Sequence, residues 1–149
     1  PQVMKGYLNN PEATRDMIDS DAWLHTGDIG RVDEEGYLYV VDRVKELIKY
    51  KGLQVAPAEV EAAVQSHPAV ADAAVIPSPD EEAGEVPKAF VVLREGATAT
   101  ADEIMAHVAA QLAPHKKVRK VEFIDAIPKV PSGKILRREL VERERAAGR

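Results

Sequence analysis

Residues 41–59, VDRVKELIKYKGLQVAPAE, carry the clearest local structural signals in the chain. Two strand-like runs, 46–50 and 53–55, flank Lys51-Gly52, and this arrangement predicts a β-hairpin with a short turn. Pro57 suits the first position of a helix, and apolar residues recur after it at helical spacing. The stretch therefore predicts two paired strands followed by a helix.

Further strand-like segments lie on both sides of this stretch. They are predicted at 29–32, 37–41, 70–76, 86–93 and 121–127. The first pair is joined by a short acidic turn that ends in Gly36, which is typical of a hairpin.

Three more helices are predicted from their capping residues. Asn10 precedes the first, and Thr100 with Glu103 forms a capping box for the third. The last begins at about Leu136. We expect it to turn Leu140 and Val141 inward and to turn its arginines outward, namely Arg137, Arg138, Arg143 and Arg145. The order of elements predicts the α+β class, with a small mixed β-sheet and hairpins flanked by helices.

The boundary between two domains is predicted at Asp42-Arg43, where a β segment ends in two charges. The absence of a Gly/Ser-rich spacer there favours a hinge over a flexible tether. In the preceding loop, Trp23 is expected to be a buried aromatic anchor. The chain starts at Pro1 without an initiator Met, which predicts that it is cut from a longer protein.

Composition excludes several classes of protein. The 149 residues include no Cys, which rules out disulfides, thiolate nucleophiles and Cys-type zinc sites. Apolar runs such as 89–93 are far too short to cross a bilayer. The net charge is −5, yet residues 116–149 hold eleven of the twenty basic side chains and only five acidic ones. This basic segment indicates either an anionic partner or a solvated helix face.

Four groups of residues could carry chemistry. The loop 128–134 presents Lys134 after Gly133, but it lacks the first glycine and the final Ser/Thr of a Walker A motif. Asp28 follows a glycine turn and could accept hydrogen bonds from vicinal hydroxyls, or it could simply cap the turn. Arg43 beside Asp42 could donate to a sugar or phosphate, or form an ion pair at the hinge.

The fourth group is a set of alternating cations, Lys45, Lys49 and Lys51, which we expect on one face of a single strand. They could receive an anion, or they could protect a strand edge from aggregation. The histidines match no zinc motif, and no serine lies in a nucleophile elbow. No metal site is therefore predicted, and a hydrolase has little support.

Several motifs together resemble the adenylate-forming superfamily, which comprises acyl-CoA synthetases, firefly luciferase and the adenylation domains of peptide synthetases. They are residues 6–14, WLHTGD at 23–28, the stretch 41–59 and PKVPSGKILRREL at 128–140. The sequence LIKYKG at 47–52 is similar to the CoA-ligase and luciferase branch. The segment 124–137 is most similar to 4-coumarate–CoA ligases and their bacterial relatives.

The resemblance implies an acid–thiol ligase of the 4-coumarate or fatty-acid type, with ATP, Mg²⁺ and coenzyme A as cofactors and a small carboxylic acid as substrate. Residues 1–41 would be the tail of a large N-terminal AMP-binding domain, and 42–149 a mobile C-terminal lid. The partner would be the rest of that N-terminal domain. The isolated fragment is expected to be inactive, and the predicted location is the cytoplasm.

The resemblance also implies a role for each site residue. Asp42 would be the hinge, and Asp28 with Arg43 would bind the nucleotide ribose. Lys134 and Lys49 would be catalytic, and Lys134 would act in adenylation. Lys49, with Lys45 and Gln54, would lie near the acyl-adenylate, and Lys51 with Gly52 would line the approach of CoA.

Two alternatives remain open. A luciferase-like oxygenase of an acyl-adenylate would share the same lid motifs. A non-enzymatic binding module would use the basic C-terminal third to bind nucleic acid. The low aromatic content of 5% argues against that module, because single-strand binders need stacking platforms, and no nucleic-acid partner is predicted.

Overall fold

The computed structural model describes residues 2–147, and the chain divides into two compact units. One unit ends at Lys45 and the other begins at Glu46. The division lies within a 3₁₀ turn, Val44–Glu46, a few residues after the predicted hinge.

The first unit consists of one short helix and one hairpin. Helix α1 (Pro11–Met17) begins after Asn10, whose Oδ1 accepts a hydrogen bond of 3.0 Å from the Ala13 N–H. Strands β1 (Asp28–Val32) and β2 (Leu38–Arg43) pair antiparallel, with a register shift between Ile29 and Gly30.

The first unit has almost no interior of its own. Within 2–45, Asp42 is the one buried residue, and the apolar side chains of β2 are exposed. The prediction of a buried Trp23 is wrong, since this side chain is 72% exposed. The physical reason is that the unit contains no apolar layer in which an indole could be enclosed.

The second unit is built on a five-stranded sheet. Its strands are β3 (Ile48–Tyr50), β4 (Leu53–Val55), β5 (Val70–Asp80), β6 (Gly84–Leu93) and β7 (Lys120–Phe123). The order is β4-β3-β6-β5, and β7 also pairs with β6. The β6–β7 pair is parallel and the others are antiparallel, so the predicted mixed sheet and the α+β class are confirmed.

Three helices cover this sheet. They are α2 (Pro57–Gln65), α3 (Ala101–Ala109) and α4 (Arg137–Ala147), and a 3₁₀ turn (Pro114–Lys116) follows α3. The capping box of α3 is present in both directions, because Thr100 Oγ1 accepts from the Glu103 N–H and Glu103 accepts from the Thr100 N–H.

Two apolar clusters lie on opposite faces of β5 and β6. One face turns Ala73, Val75, Ala89 and Val91 toward α2 and α3. The other packs Ala74, Ile76 and Phe90 against Ile127 and Leu140, the latter from α4. Strands buried on both faces explain why 70–76 and 86–93 read as nearly continuous apolar runs.

The strand predicted at 121–127 is shorter than expected. β7 ends at Phe123, although the Ile124 N–H still donates to the Val91 carbonyl at 3.0 Å. The chain then leaves the sheet edge, and Ile127 packs in the cluster with Leu140. Ile127 is therefore buried in the core without being part of the sheet.

Candidate functional site

In the first unit, Asp28 and Arg43 lie side by side at the open end of the hairpin. They are Cα partners in the β1–β2 register, and Arg43 Nε lies 3.3 Å from Asp28 Oδ1. Gly27, with φ of +73°, turns the chain into β1, and its carbonyl accepts from the Val44 N–H at 2.9 Å. Both side chains keep solvent access. The pair thus offers a carboxylate that accepts and a guanidinium that donates.

Asp42 differs from its neighbours in being buried. It faces Ile29 across the hairpin, and its Oδ1 accepts a hydrogen bond of 2.7 Å from the Arg43 N–H. The predicted hinge residue therefore holds the backbone of the predicted ribose-binding arginine. Its role as a hinge remains a prediction.

In the second unit, the β3–β4 hairpin carries four of the predicted site residues. Lys49 and Gln54 are Cα partners and both are exposed. Lys51 and Gly52 form the two-residue turn, with φ of +48° and +81°. Both turn residues are thus left-handed, as a tight hairpin of this kind requires, and glycine adopts this conformation without strain.

The lysines do not share one strand face, so that prediction is wrong. Lys45 lies in the 3₁₀ turn, Lys49 in β3, and Lys51 at the left-handed turn. The strand begins only at Ile48, whose side chain is fully buried, and it ends at Tyr50. The alternation in sequence therefore spans three different backbone conformations.

The acidic turn between β5 and β6, together with the start of β6, holds this hairpin from the side. The Lys49 N–H donates to Glu85 Oε2 at 2.7 Å, and the Lys51 N–H donates to the Ala83 carbonyl at 3.0 Å. Lys51 Nζ lies 2.5 Å from Glu82 Oε1, and this hydrogen bond, with the charge of Glu82, raises the pKa of Lys51. Lys51 is therefore already engaged by a carboxylate.

The loop that carries Lys134 is closed by backbone hydrogen bonds. The Val130 N–H donates to the Lys134 carbonyl at 3.0 Å, and the Leu136 N–H donates to the Pro128 carbonyl at 2.8 Å. Gly133, with φ of +84°, makes the reversal possible. Lys129 Nζ fixes the loop to Asp72 Oδ2 at 2.5 Å. The Lys134 side chain is exposed at the tip of a well-defined loop.

Three of the predicted site lysines are available to an external anion. Among the described residues, no carboxylate pairs with the ammonium of Lys45, Lys49 or Lys134. This contrasts with Lys51, and it means that a bound anion need not first displace a protein carboxylate.

Sequence reasoning missed the role of Arg137, which was expected to point outward. Its side chain is only 19% exposed, and it forms ion pairs with Glu46 at 2.7 Å and with Glu61 at 2.8 Å. Glu61 is itself buried and accepts the Val75 N–H at 2.8 Å. One feature of the sequence could have indicated this ion pair. Glu61 is a charged residue next to Val60 on the apolar face of the predicted helix, so it requires a cationic partner.

A buried cation, Lys88, lies in β6 on the face of the sheet that α4 covers. Lys88 Nζ contacts Glu122 at 2.7 Å and also pairs with Glu144 of α4, whose carboxylate accepts from Ser78 Oγ at 2.6 Å. Burial lowers the pKa of Lys88, but the two carboxylates outweigh this effect and raise it. This network attaches α4 to the sheet.

The described residues contain no metal cluster and no membrane-spanning helix. No group of three or more His, Asp or Glu in 2–147 is placed to hold a metal ion. No helix in that range is both long and apolar enough to cross a bilayer.

The chain matches a protein family and several curated proteins. Residues 59–134, just over half of the chain, match the family described as AMP-binding enzyme C-terminal domain. The chain is 62% identical to 4-coumarate–CoA ligase 5 of Oryza sativa subsp. japonica over 139 residues, which are 93% of this chain and 26% of the relative. It is 56% identical to peroxisomal OPC-8:0-CoA ligase 1 of Arabidopsis thaliana over 95% of this chain and 26% of the relative.

Solved structures of related enzymes also match most of this chain. ATP-bound MatB from Rhodopseudomonas palustris matches with a TM-score of 0.88 and 35% identity, over 95% of this chain and 28% of that one. The chain thus spans about a quarter of the length of the relatives it matches. The resemblance to adenylate-forming enzymes is confirmed, while the roles of the individual site residues remain predictions.

Proposed function

Because the chain belongs to the AMP-binding enzyme C-terminal domain family, we propose that it is the lid of an ATP-dependent acyl-CoA ligase. The proposed reaction converts a carboxylic acid, ATP and CoA into acyl-CoA, AMP and pyrophosphate. The observation that carries the proposal is the 62% identity to a 4-coumarate–CoA ligase over 93% of this chain. The chain spans 26% of that relative, and we propose that the acid-binding part of the enzyme lies outside these residues.

In the proposed first step, a carboxylate oxygen attacks the α-phosphorus of ATP. The bond from that phosphorus to the bridging oxygen breaks, and pyrophosphate leaves. Negative charges meet in this step, so a fixed cation lowers its barrier. Lys134, exposed and without a carboxylate partner among the described residues, is suited to that task. Asp28 would accept hydrogen bonds from the ribose hydroxyls, and Arg43 would donate to the nucleotide.

In the proposed second step, the CoA sulfur attacks the acyl carbon. The bond from that carbon to the AMP oxygen breaks, AMP leaves, and the thiol proton passes to solvent. Lys49 and Gln54, paired across the exposed hairpin, would contact the acyl-adenylate. Lys51 and Gly52 at its turn would line the path of CoA. Rotation about Asp42 would exchange the Lys134 loop for this hairpin between steps.

Mg²⁺ would enter as the counter-ion of ATP. The described residues offer no metal-binding group of three His, Asp or Glu side chains, so no part of this mechanism is assigned to a metal held by the lid.

The proposal is tested with Lys134→Ala in the full-length ligase. We expect ATP–pyrophosphate exchange to fall about 10²–10³-fold, which is typical of losing one group that stabilises the transition state. Thioester formation from supplied acyl-AMP is expected to change little. Arg138→Gln serves as the matched control, because Arg138 is a cation of α4 with a 91% exposed side chain. Equal losses in both half-reactions would contradict the division of roles.

Two further parts of the proposal have their own tests. The isolated 149-residue chain is expected to be inactive, and ATP–pyrophosphate exchange by it would contradict this. We also propose a cytoplasmic location, although one relative is named as peroxisomal. Fluorescence microscopy of the tagged full-length protein distinguishes the two compartments.

A further inference from the structure

Arg137 forms a partly buried three-residue clamp with Glu46 and Glu61. Its Nη1 lies 2.7 Å from Glu46 Oε2, and its Nη2 lies 2.9 and 2.8 Å from the two oxygens of Glu61. The partners are 91 and 76 residues away in sequence, so the clamp joins three distant segments. The planar guanidinium carries its donors in a rigid fork, so it can hold two carboxylates at set angles.

The clamp residues lie at the bases of both lysine-bearing segments. Lys134 is three residues before Arg137, and Lys49 is three residues after Glu46. Three residues of extended chain span no more than about 11 Å. The backbone of Lys49 and that of Lys134 are therefore each held within about 11 Å of a residue of the Arg137 clamp.

The third member of the clamp is anchored most firmly. The Glu61 side chain is 10% exposed, and its Oε1 also accepts the Val75 N–H at 2.8 Å. It thus connects Arg137 to helix α2 and to the centre of strand β5, which belong to the main core cluster. In addition to the Lys129–Asp72 ion pair, the Lys134 loop is thus connected through Arg137 to the core of the unit.

We propose that Arg137 is a positioning residue, which holds the Lys134 loop in place for adenylation through Glu61 and sets its spacing from the Lys49 hairpin through Glu46. This inference rests on the proposed function for its catalytic part. It explains why a cation is retained in a mostly buried place, where a charge without partners is costly.

The first experiment measures hydrogen exchange in the isolated 149-residue chain and needs no activity. Glu46→Gln keeps the Arg137–Glu61 pair, so no buried carboxylate is left unpaired, and Arg137→Lys keeps the charge but loses the two-pronged geometry. We expect the amides of Val130, Gly133 and Leu136 to exchange at least five-fold faster in both variants. The amides of β5 and β6 should keep their protection.

The second experiment measures the two half-reactions of the full-length ligase. We expect Arg137→Lys to lower ATP–pyrophosphate exchange at least ten-fold, with a much smaller effect on thioester formation from supplied acyl-AMP. Arg138→Gln, next in sequence and 91% exposed, is the matched control and should leave both unchanged.

The outcomes separate the two hypotheses. Unchanged loop exchange, or faster exchange throughout the unit, overturns the positioning role, and so does an equal loss of both half-reactions. If the unmodified full-length protein makes no acyl-adenylate from any acid tested, the proposed function fails, and the exchange data still decide whether Arg137 holds the loop. Loop-specific loosening together with selective loss of adenylation supports the inference.

Discussion

Replacing Lys88 with Met tests how α4 is held on the sheet. The side chain of Lys88 is 10% exposed and pairs with Glu144, which is 12% exposed, and with Glu122. The substitution keeps the aliphatic volume and leaves two carboxylates without their shared cation. Removing one partner of a buried ion pair costs about 3–5 kcal/mol, because the other charge remains buried.

The expected loss of stability is somewhat smaller than this, because both carboxylates keep another partner. Glu122 retains Arg143, whose Nη2 lies 2.6 Å away, and Glu144 retains the hydrogen bond from Ser78 Oγ. We therefore expect Lys88→Met to lower the free energy of unfolding of the second unit by about 2–4 kcal/mol. With a urea m-value of about 2 kcal/mol per M, the midpoint falls by about 1–2 M.

The stability lost in Lys88→Met is also expected to depend on pH, because it involves the carboxyl group of Glu144. In the parent protein, burial tends to raise the pKa of Glu144, but Lys88 and Ser78 outweigh it and hold that pKa below the usual 4.5. A lowered folded-state pKa contributes stability above the unfolded pKa, and this contribution is lost as pH falls through the folded value. Without Lys88, its hydrogen bond and its charge no longer lower the pKa of Glu144, so this pKa rises and protonation of Glu144 costs less. The difference between parent and variant should therefore shrink as pH falls from 7 to 4.

The assay is urea unfolding followed by far-UV circular dichroism, since three of the four α-helices within residues 2–147 belong to the second unit. Lys116→Met is the control, because Lys116 makes one 2.7 Å pair with Glu59 at the surface and should cost no more than about 1 kcal/mol. A loss for Lys88→Met equal to that of the control, or a loss independent of pH, would refute the reasoning.

Three other predictions concern the lysine hairpin, the hinge and a helix cap. Lys49→Ala in the full-length ligase should slow thioester formation from supplied acyl-AMP more than adenylation; the reverse order in half-reaction assays would assign Lys49 to the first step. Asp42→Pro should fix the backbone at the hinge, spare adenylation and block the second step, and unchanged CoA turnover would show that no rotation occurs there. Thr100→Ala removes the side-chain cap of α3 and should cost about 1 kcal/mol in thermal unfolding; no change in Tm would mean that water replaces the cap.

Local patterns were sufficient to predict most of the secondary structure. Thr100 with Glu103 marks the start of α3, and Lys51-Gly52 marks a tight turn, because each signal depends on residues close together in the chain. The parallel pairing of β7 with β6 joins residues about thirty apart and has no local signature. Alternating residues predict a strand, but they did not show that Lys45 and Lys51 lie outside it.

The candidate site was less accessible to sequence reasoning than the fold. The positions of Asp28, Arg43 and Lys134 follow from motifs, whereas their surroundings follow from tertiary packing. Arg137 reads as one arginine among several on a charged helix, and only the approach of Glu46 and Glu61 distinguishes it from Arg138. The exposure of Trp23 was missed because burial depends on how many apolar residues surround a side chain, which a six-residue motif does not specify.

The cluster beneath α4 has a consequence for proteolysis. Leu140 packs with Ile76 and Phe90, which are fully buried in strands far earlier in the chain. A protease that cut the exposed Lys134 loop and released α4 would uncover an aromatic and aliphatic patch in the middle of the sheet. Patches of this kind drive self-association, so clipping at one surface loop is expected to yield aggregates in place of a trimmed soluble unit.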